Sequence, residues 1–189
     1  MKRIPTLNLE PRGCLRLPVS FLAIVLLLAA CRPREKLLND ATVFPALSGQ
    51  GQFQLSAVDP RIAKVVVNFF APDCPPCEKE LPALKQFYQA HAADKDMLFV
   101  SIGSSLRAIG NPDAGKAPAD SEIRSEISRF IRKFAVNYPQ FMAGGTELAA
   151  WRVTGFPETF VFVREGIAWK LKRKFISEIT RENLEYELK

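Results

Sequence analysis

The stretch Lys64-Val65-Val66-Val67-Asn68-Phe69-Phe70-Ala71-Pro72-Asp73-Cys74-Pro75-Pro76-Cys77-Glu78-Lys79-Glu80-Leu81-Pro82 decides the fold. Its first seven residues are nearly all apolar and rich in valine, which is how a fully buried central strand reads. Past the motif, Cys77, Leu81, Leu84 and Tyr88 recur at i, i+4, i+7 and i+11 and so share one helix face. Pro82 interrupts the ladder of that helix and predicts a kink. A strand that ends in Cys-x-x-Cys and opens a helix sets the first cysteine where the helix dipole and free N–H groups favour a thiolate. The thiolate is the attacking species in disulfide exchange, so the placement is a reason for chemistry. A structural disulfide or an inert pair is the competing reading of the same residues.

Outward from this segment, Phe44–Leu47 and Phe53–Leu55 flank Ser48-Gly49-Gln50-Gly51 and predict a short N-terminal hairpin. Asp59-Pro60 signals a turn. Met97–Ile102 reads as the next strand, and Gly103–Asp120, with three glycines and two prolines, as a long loop. Ile123, Ile127, Phe130, Ile131 and Phe134 form one stripe of a helix that Asp120 or Ser121 can cap. Thr159–Val163 is another buried strand, and Glu165-Gly166 a tight turn. After it, Trp169, Leu171 and Phe175 alternate with Lys170, Lys172 and Lys174, which predicts one packed face and one lysine face. The basic run reads as edge-strand protection, with an anionic-lipid patch as the alternative. Thr180 starts a last short helix with Leu184 and Leu188 facing in. The resulting order, β, β, α, β, α, β, β, α, is that of a mixed α/β sandwich.

The 189 residues are 48% hydrophobic and 24% charged, which suits one globular domain with extra segments. The net charge of +6 misleads, because residues 1–30 hold Lys2, Arg3, Arg12 and Arg16 against Glu10 and leave only +3 on the rest. That is no footprint for nucleic acid. The basic start is followed by Phe21–Ala30, an apolar core shorter than the ~20 residues a membrane-spanning helix needs. Residues 1–30 therefore read as an export signal, 31–41 as a polar tether and 42–189 as the folded domain. Leu28-Ala29-Ala30-Cys31 is similar to the lipobox of bacterial lipoproteins, which makes Cys31 a candidate lipidation site; an uncleaved signal anchor is the other reading. Both place the domain outside the cytoplasm. Cys14 falls in the discarded segment, so only Cys74 and Cys77 remain in the fold. Two cysteines and a lone, distant His91 cannot furnish a four-ligand zinc site, and no metal or other cofactor is expected.

With Val153-Thr154-Gly155-Phe156-Pro157-Glu158-Thr159-Phe160-Val161 as a second landmark, residues 42–189 resemble the thioredoxin-fold, extracytoplasmic thiol–disulfide oxidoreductases of bacteria. These are the TlpA/ResA group and the cytochrome c biogenesis group of DsbE or CcmG type, toward which Pro-Glu-Thr-Phe leans. The resemblance implies a thioredoxin-like three-layer α/β sandwich with a mixed central sheet and an N-terminal β extension. It implies that Pro157 is cis and lies against the motif in a loop with Phe156 and Glu158; a trans turn proline is the alternative. The departures are Asp73, where tryptophan is usual and where a carboxylate opposes a thiolate, and Asn68, where thioredoxin has a buried Asp.

Cys74 is then the nucleophile and Cys77 the resolving thiol. Glu80 shares a face with Cys77 and is the candidate proton carrier, or else an exposed acid in the first turns. Glu158 either faces the dithiol, or faces solvent or bonds its own loop. The expected activity is reduction of disulfides in exported proteins, apocytochrome c among them, with electrons from a membrane thiol relay. The rivals are a general disulfide oxidase or isomerase, a peroxidase of related fold, and a dithiol copper-binding chaperone, against which Met97, Met142 and His91 stand isolated.

Overall fold

The buried valine strand is the middle of a five-stranded sheet. The computed structural model describes residues 38–109 and 120–189. In chain order these form β1 (Phe44–Pro45), β2 (Gln52–Phe53), β3 (Lys64–Phe70), α1 (Pro75–Ala90), β4 (Met97–Gly103), α2 (Asp120–Phe134), β5 (Gln140–Met142), α3 (Gly145–Ala150), β6 (Glu158–Glu165), β7 (Ala168–Ile176) and α4 (Arg181–Leu188). The sheet order is β5-β4-β3-β6-β7. β3, β4 and β5 run parallel, and β6 and β7 antiparallel to their neighbours.

Alternation along β3 divides its side chains between two apolar layers. Val65, Val67 and Phe69 enter a cluster built around Trp151 with Phe44, Phe53, Leu148, Phe160 and Phe162. Val66 packs with Leu84 and Phe87 of α1 and Leu184 and Leu188 of α4. Phe70 packs with Cys77 and Leu81 of α1 and Ile123, Ile127 and Phe130 of α2. Helices α1, α2 and α4 thus cover one face, and the β1–β2 hairpin with α3 covers the other. This is the three-layer thioredoxin-like sandwich with the N-terminal β extension. Trp151 is fully buried, with Phe44, Phe69, Phe160 and Phe162 rings at 5.3–5.7 Å, and its indole N–H donates to the carbonyl of Asn39 at 3.1 Å. Truncating an aromatic so placed costs about 3–5 kcal/mol. The hairpin closes the β5 edge: Leu47 N–H donates to Gln140 O at 3.0 Å, and Arg124 of α2 donates to the carbonyls of Ala46 and Leu47.

Four sequence expectations are revised. β5 and α3 are additional elements; at three and six residues they are too short to show a period. Asp120 and Ser121 lie inside the first turn of α2, so neither is its cap. Gly103 ends β4 instead of opening a loop; a Cβ there would meet Ile127 Cδ1 at 2.8 Å, so the close approach of α2 demands glycine. The following segment contains a 3-10 turn, Leu106–Ala108, and its positions 110–119 lie outside the described residues.

The fourth revision concerns β7. Its register against β6 slips between Val161, which faces Arg173, and Phe162, which faces Leu171. Lys172 is the extra residue of a bulge, and side-chain parity reverses across it. Trp169 and Leu171 join the Trp151 layer, but Phe175 packs on the helical layer. Lys174 therefore lies opposite Phe160, on the Trp151 side. The single lysine face does not exist.

The expected signal (1–30) and its Cys31 lie outside the described residues, as does most of the tether. Of the tether, Leu38 packs on the Trp151 cluster and Asn39 N–H donates to Ala150 O at 3.4 Å.

Candidate active site

Cys74 is the N-cap of α1, in extended backbone, and its Sγ accepts the N–H of Cys77 at 3.2 Å. Pro75 fills the first helical position, where a missing N–H costs nothing, and Pro76 the second, where it removes one possible capping donor. They also leave Cys77 N–H as the first amide of the helix able to reach that sulfur. Cys74 and Cys77 are joined by a disulfide, with S–S 2.06 Å and Cα–Cα 5.2 Å. The pair is largely covered, Cys74 being 4% and Cys77 1% exposed, so the outer sulfur is the one a visiting group meets first. Asp73 is exposed beside it, with the Arg107 guanidinium near enough to feel its charge.

Glu80 lies one turn past Cys77 and is only 3% exposed. It is not an exposed acid. Its Oε1 accepts from Asn68 Nδ2 at 2.8 Å, and its Oε2 accepts the N–H of Ile179 at 3.1 Å. Asn68 is held in turn: its Nδ2 also reaches Thr159 Oγ1 at 3.1 Å, and Ser101 Oγ donates to its Oδ1 at 3.1 Å. Register explains the grouping, since Ser101 on β4 and Thr159 on β6 both face Asn68 on β3. Among the described residues no cation pairs with Glu80. Burial therefore dominates and raises its pKa to about 7, against the lowering effect of the two hydrogen bonds and with a further push from the Glu178 charge. The phenol of Tyr138 is raised too, by its own burial and by the charge of Glu80.

The Phe156–Pro157 peptide is cis. Phe156 packs against the apolar cluster that contains both cysteines, which brings this loop to the motif. Pro157 is buried, and its carbonyl accepts the N–H of Ser177 at 3.2 Å. Glu158 is fully buried but lies opposite Phe69, on the Trp151 side of the sheet, whereas Asn68 and Glu80 are on the helical side. Its Oε1 accepts from Thr154 N at 3.0 Å and Thr154 Oγ1 at 2.5 Å. Its Oε2 sits 2.9 Å from Lys174 Nζ. Glu80 and Glu158 thus do not share a site.

His91 caps the far end of α1, its ring tilted against Phe87 at 4.5 Å between centroids and lying between Asp94 and Glu185. Sequence reasoning missed Ser101, Thr159, Ile179 and Lys174 as partners of the site. The first three lie in strands or loops whose contacts depend on register, and no local signal marks them.

Residues 38–188 match the Redoxin family model. The thiol-disulfide oxidoreductase ResA of a Bacillus cereus strain is 24% identical over 122 residues, covering 64% of this chain and 59% of that protein. The sporulation thiol-disulfide oxidoreductase A of Bacillus subtilis is 25% identical over 123 residues, 64% of each chain. The chain therefore matches about three-fifths of the length of these relatives. A secreted Mycobacterium tuberculosis disulfide oxidoreductase homologous to Escherichia coli DsbE superposes with a TM-score of 0.57 at 19% identity, covering 79% of this chain and 96% of that one. That likeness extends to the thioredoxin-like fold alone. A sheet of this order, a disulfide at the mouth of α1 and a family match over most of the chain place this protein in the Redoxin family.

Proposed function

We propose that this chain is a thiol–disulfide oxidoreductase that works outside the cytoplasm, tethered through lipid on Cys31, and reduces specific disulfides of exported proteins. The observation that carries the reading is the helix-capping disulfide, whose outer sulfur already accepts a helix N–H. That contact stabilises negative charge on Cys74 once the bond is reduced. The apolar run before Leu28-Ala29-Ala30-Cys31 supports export and anchoring.

In the forward direction the Cys74 thiolate attacks one sulfur of a partner disulfide. A bond forms between them as the partner's own S–S bond breaks, and the released partner sulfur takes up a proton. Cys77 gives its proton to the Glu80 carboxylate and attacks Cys74 Sγ. The mixed bond breaks, the second partner sulfur leaves, and two electrons have passed from the dithiol to the partner. An acid whose pKa lies near 7 both accepts and returns protons at neutral pH. The resulting Cys74–Cys77 bond needs two electrons for the next cycle, supplied by a membrane thiol relay. Apocytochrome c, with its paired haem-binding cysteines, is the partner this reading favours.

Trapping tests it. A Cys77→Ser variant is expected to accumulate mixed disulfides through Cys74 with exported, cysteine-paired proteins. A reduction potential near that of the strong oxidants, about −120 mV, would reverse the direction to disulfide formation.

A further inference from the structure

We propose that Lys174 is a positioning residue for partner docking: it struts the loop 152–158, which carries Phe156 and cis-Pro157, from both ends. This rests on the oxidoreductase reading, in which that loop faces the visiting chain. Lys174 Nζ donates to the carbonyl of Arg152 at 2.8 Å, where the loop begins. The same Nζ lies 2.9 Å from Glu158 Oε2, where the loop ends. It also sits over the Phe160 ring at 5.0 Å. Glu158 then reaches back into the loop, its other oxygen taking both the N–H and the hydroxyl of Thr154. One cation and one carboxylate thus tie residues 152, 154 and 158 together.

Arg152 holds φ 52°, the left-handed position just past α3, which the helix end itself accounts for through Arg152 N–H to Ala149 O at 3.0 Å and Val153 N–H to Leu148 O at 2.9 Å; its carbonyl is the one Lys174 takes. The bulge at Lys172 argues that the strut is built, not incidental. Without that extra residue, alternation would send the side chain at 174 to the helical side, away from Glu158. A fully buried carboxylate is a costly choice for a loop that needs only to be filled, since an apolar pair packs as well or better. What an ion pair adds is a single geometry. A loop held in that geometry presents Phe156 and its neighbouring backbone ready for an extended partner, which lowers the ordering cost of docking.

The experiment compares two probes of the reduced, full-length protein: a disulfide-linked peptide of about ten residues, and the small aromatic disulfide DTNB, which has no backbone to dock. The readout is the ratio of the two exchange rate constants. Lys174→Met is expected to lower that ratio about tenfold, a typical cost of a misplaced positioning group. Lys174→Arg, which keeps a cation at both contacts, is expected to recover at least half of it. Should Lys174→Met fail to fold, Glu158→Gln/Lys174→Met removes the strut without leaving a buried charge and should show the same fall. A wild-type ratio in a folded strut-less variant would overturn the proposal, as would equal losses on both probes. Failure of the oxidoreductase reading looks different, because the wild-type protein would then exchange with neither probe.

Discussion

Glu80 and Glu158 are both buried carboxylates, yet they lie on opposite faces of the same sheet and are satisfied in opposite ways. Glu80 is met by neutral donors only, an amide side chain and a backbone N–H, and its proton affinity is high. Glu158 is met by a lysine and a threonine. A cation beside a carboxylate holds it in place, whereas burial among neutral donors raises a carboxyl's proton affinity. The two acids therefore differ in their surroundings: Glu158 is tied to its loop and to Lys174, and Glu80 has no cation beside it among the described residues.

The largest effect should come from breaking the ion pair. Lys174→Met leaves Glu158 buried without a cation and is expected to destabilise the protein by about 3–5 kcal/mol in urea unfolding. Adding Glu158→Gln should recover part of that loss; additivity in the double-mutant cycle would mean the two groups do not interact.

The pH dependence of stability should come next, and it isolates Glu80. Its folded pKa, about 7, lies above the ordinary 4.5, so the folded state holds a proton that the unfolded state has released. Stability from this group is complete below about pH 4.5 and is lost as pH rises to 7 and beyond, a decline of about 3 kcal/mol at 1.36 kcal/mol per pH unit. Urea titrations at pH 5 and 8 should show it, and Glu80→Gln should flatten it. The same variant is expected to slow the Cys77 resolving step about a hundredfold at neutral pH and to erase its inflection near pH 7, read by the decay of a preformed mixed disulfide.

The smallest effect should follow from Ser101→Ala. Ser101 donates to Asn68 Oδ1 and so keeps the Asn68 NH₂ turned toward Glu80. Its loss is expected to cost about 1 kcal/mol and to move the Glu80 inflection upward, since a freed amide donates less to the carboxylate. A downward movement would mean that the amide does not orient the acid.

What was legible in the sequence was what local pattern encodes. The run Val65–Phe70, apolar but for Asn68, gives a strand covered on both sides, and Cys74-Pro75-Pro76-Cys77 gives a capped helix start. The Gly155-Phe156-Pro157 loop was legible through its likeness to known proteins rather than through its own periodicity. Glu80 was placed on the Cys77 face, but its environment comes from Asn68, Thr159 and Ile179 on three other segments, and only tertiary register brings them together. β5 escaped because three residues cannot establish an alternation. Lys174 escaped for a sharper reason: even spacing from Lys170 and Lys172 assigned it to a solvent face, and one inserted residue in β7 turned it inward.

The prolines at 75 and 76 have a consequence for how such proteins diverge. Pro76, at the second helical position, deprives the Cys74 sulfur of one N–H donor and leaves the amide of Cys77 to cap it. Replacing Pro76 by a residue with an amide hydrogen is expected to add a donor to the sulfur, at the loss of the rigidity a proline gives the chain, and so to lower the Cys74 pKa and shift the couple toward accepting electrons. A single ring closure at position 76 is thus a place where the poise of the couple is open to change with no side-chain catalyst exchanged.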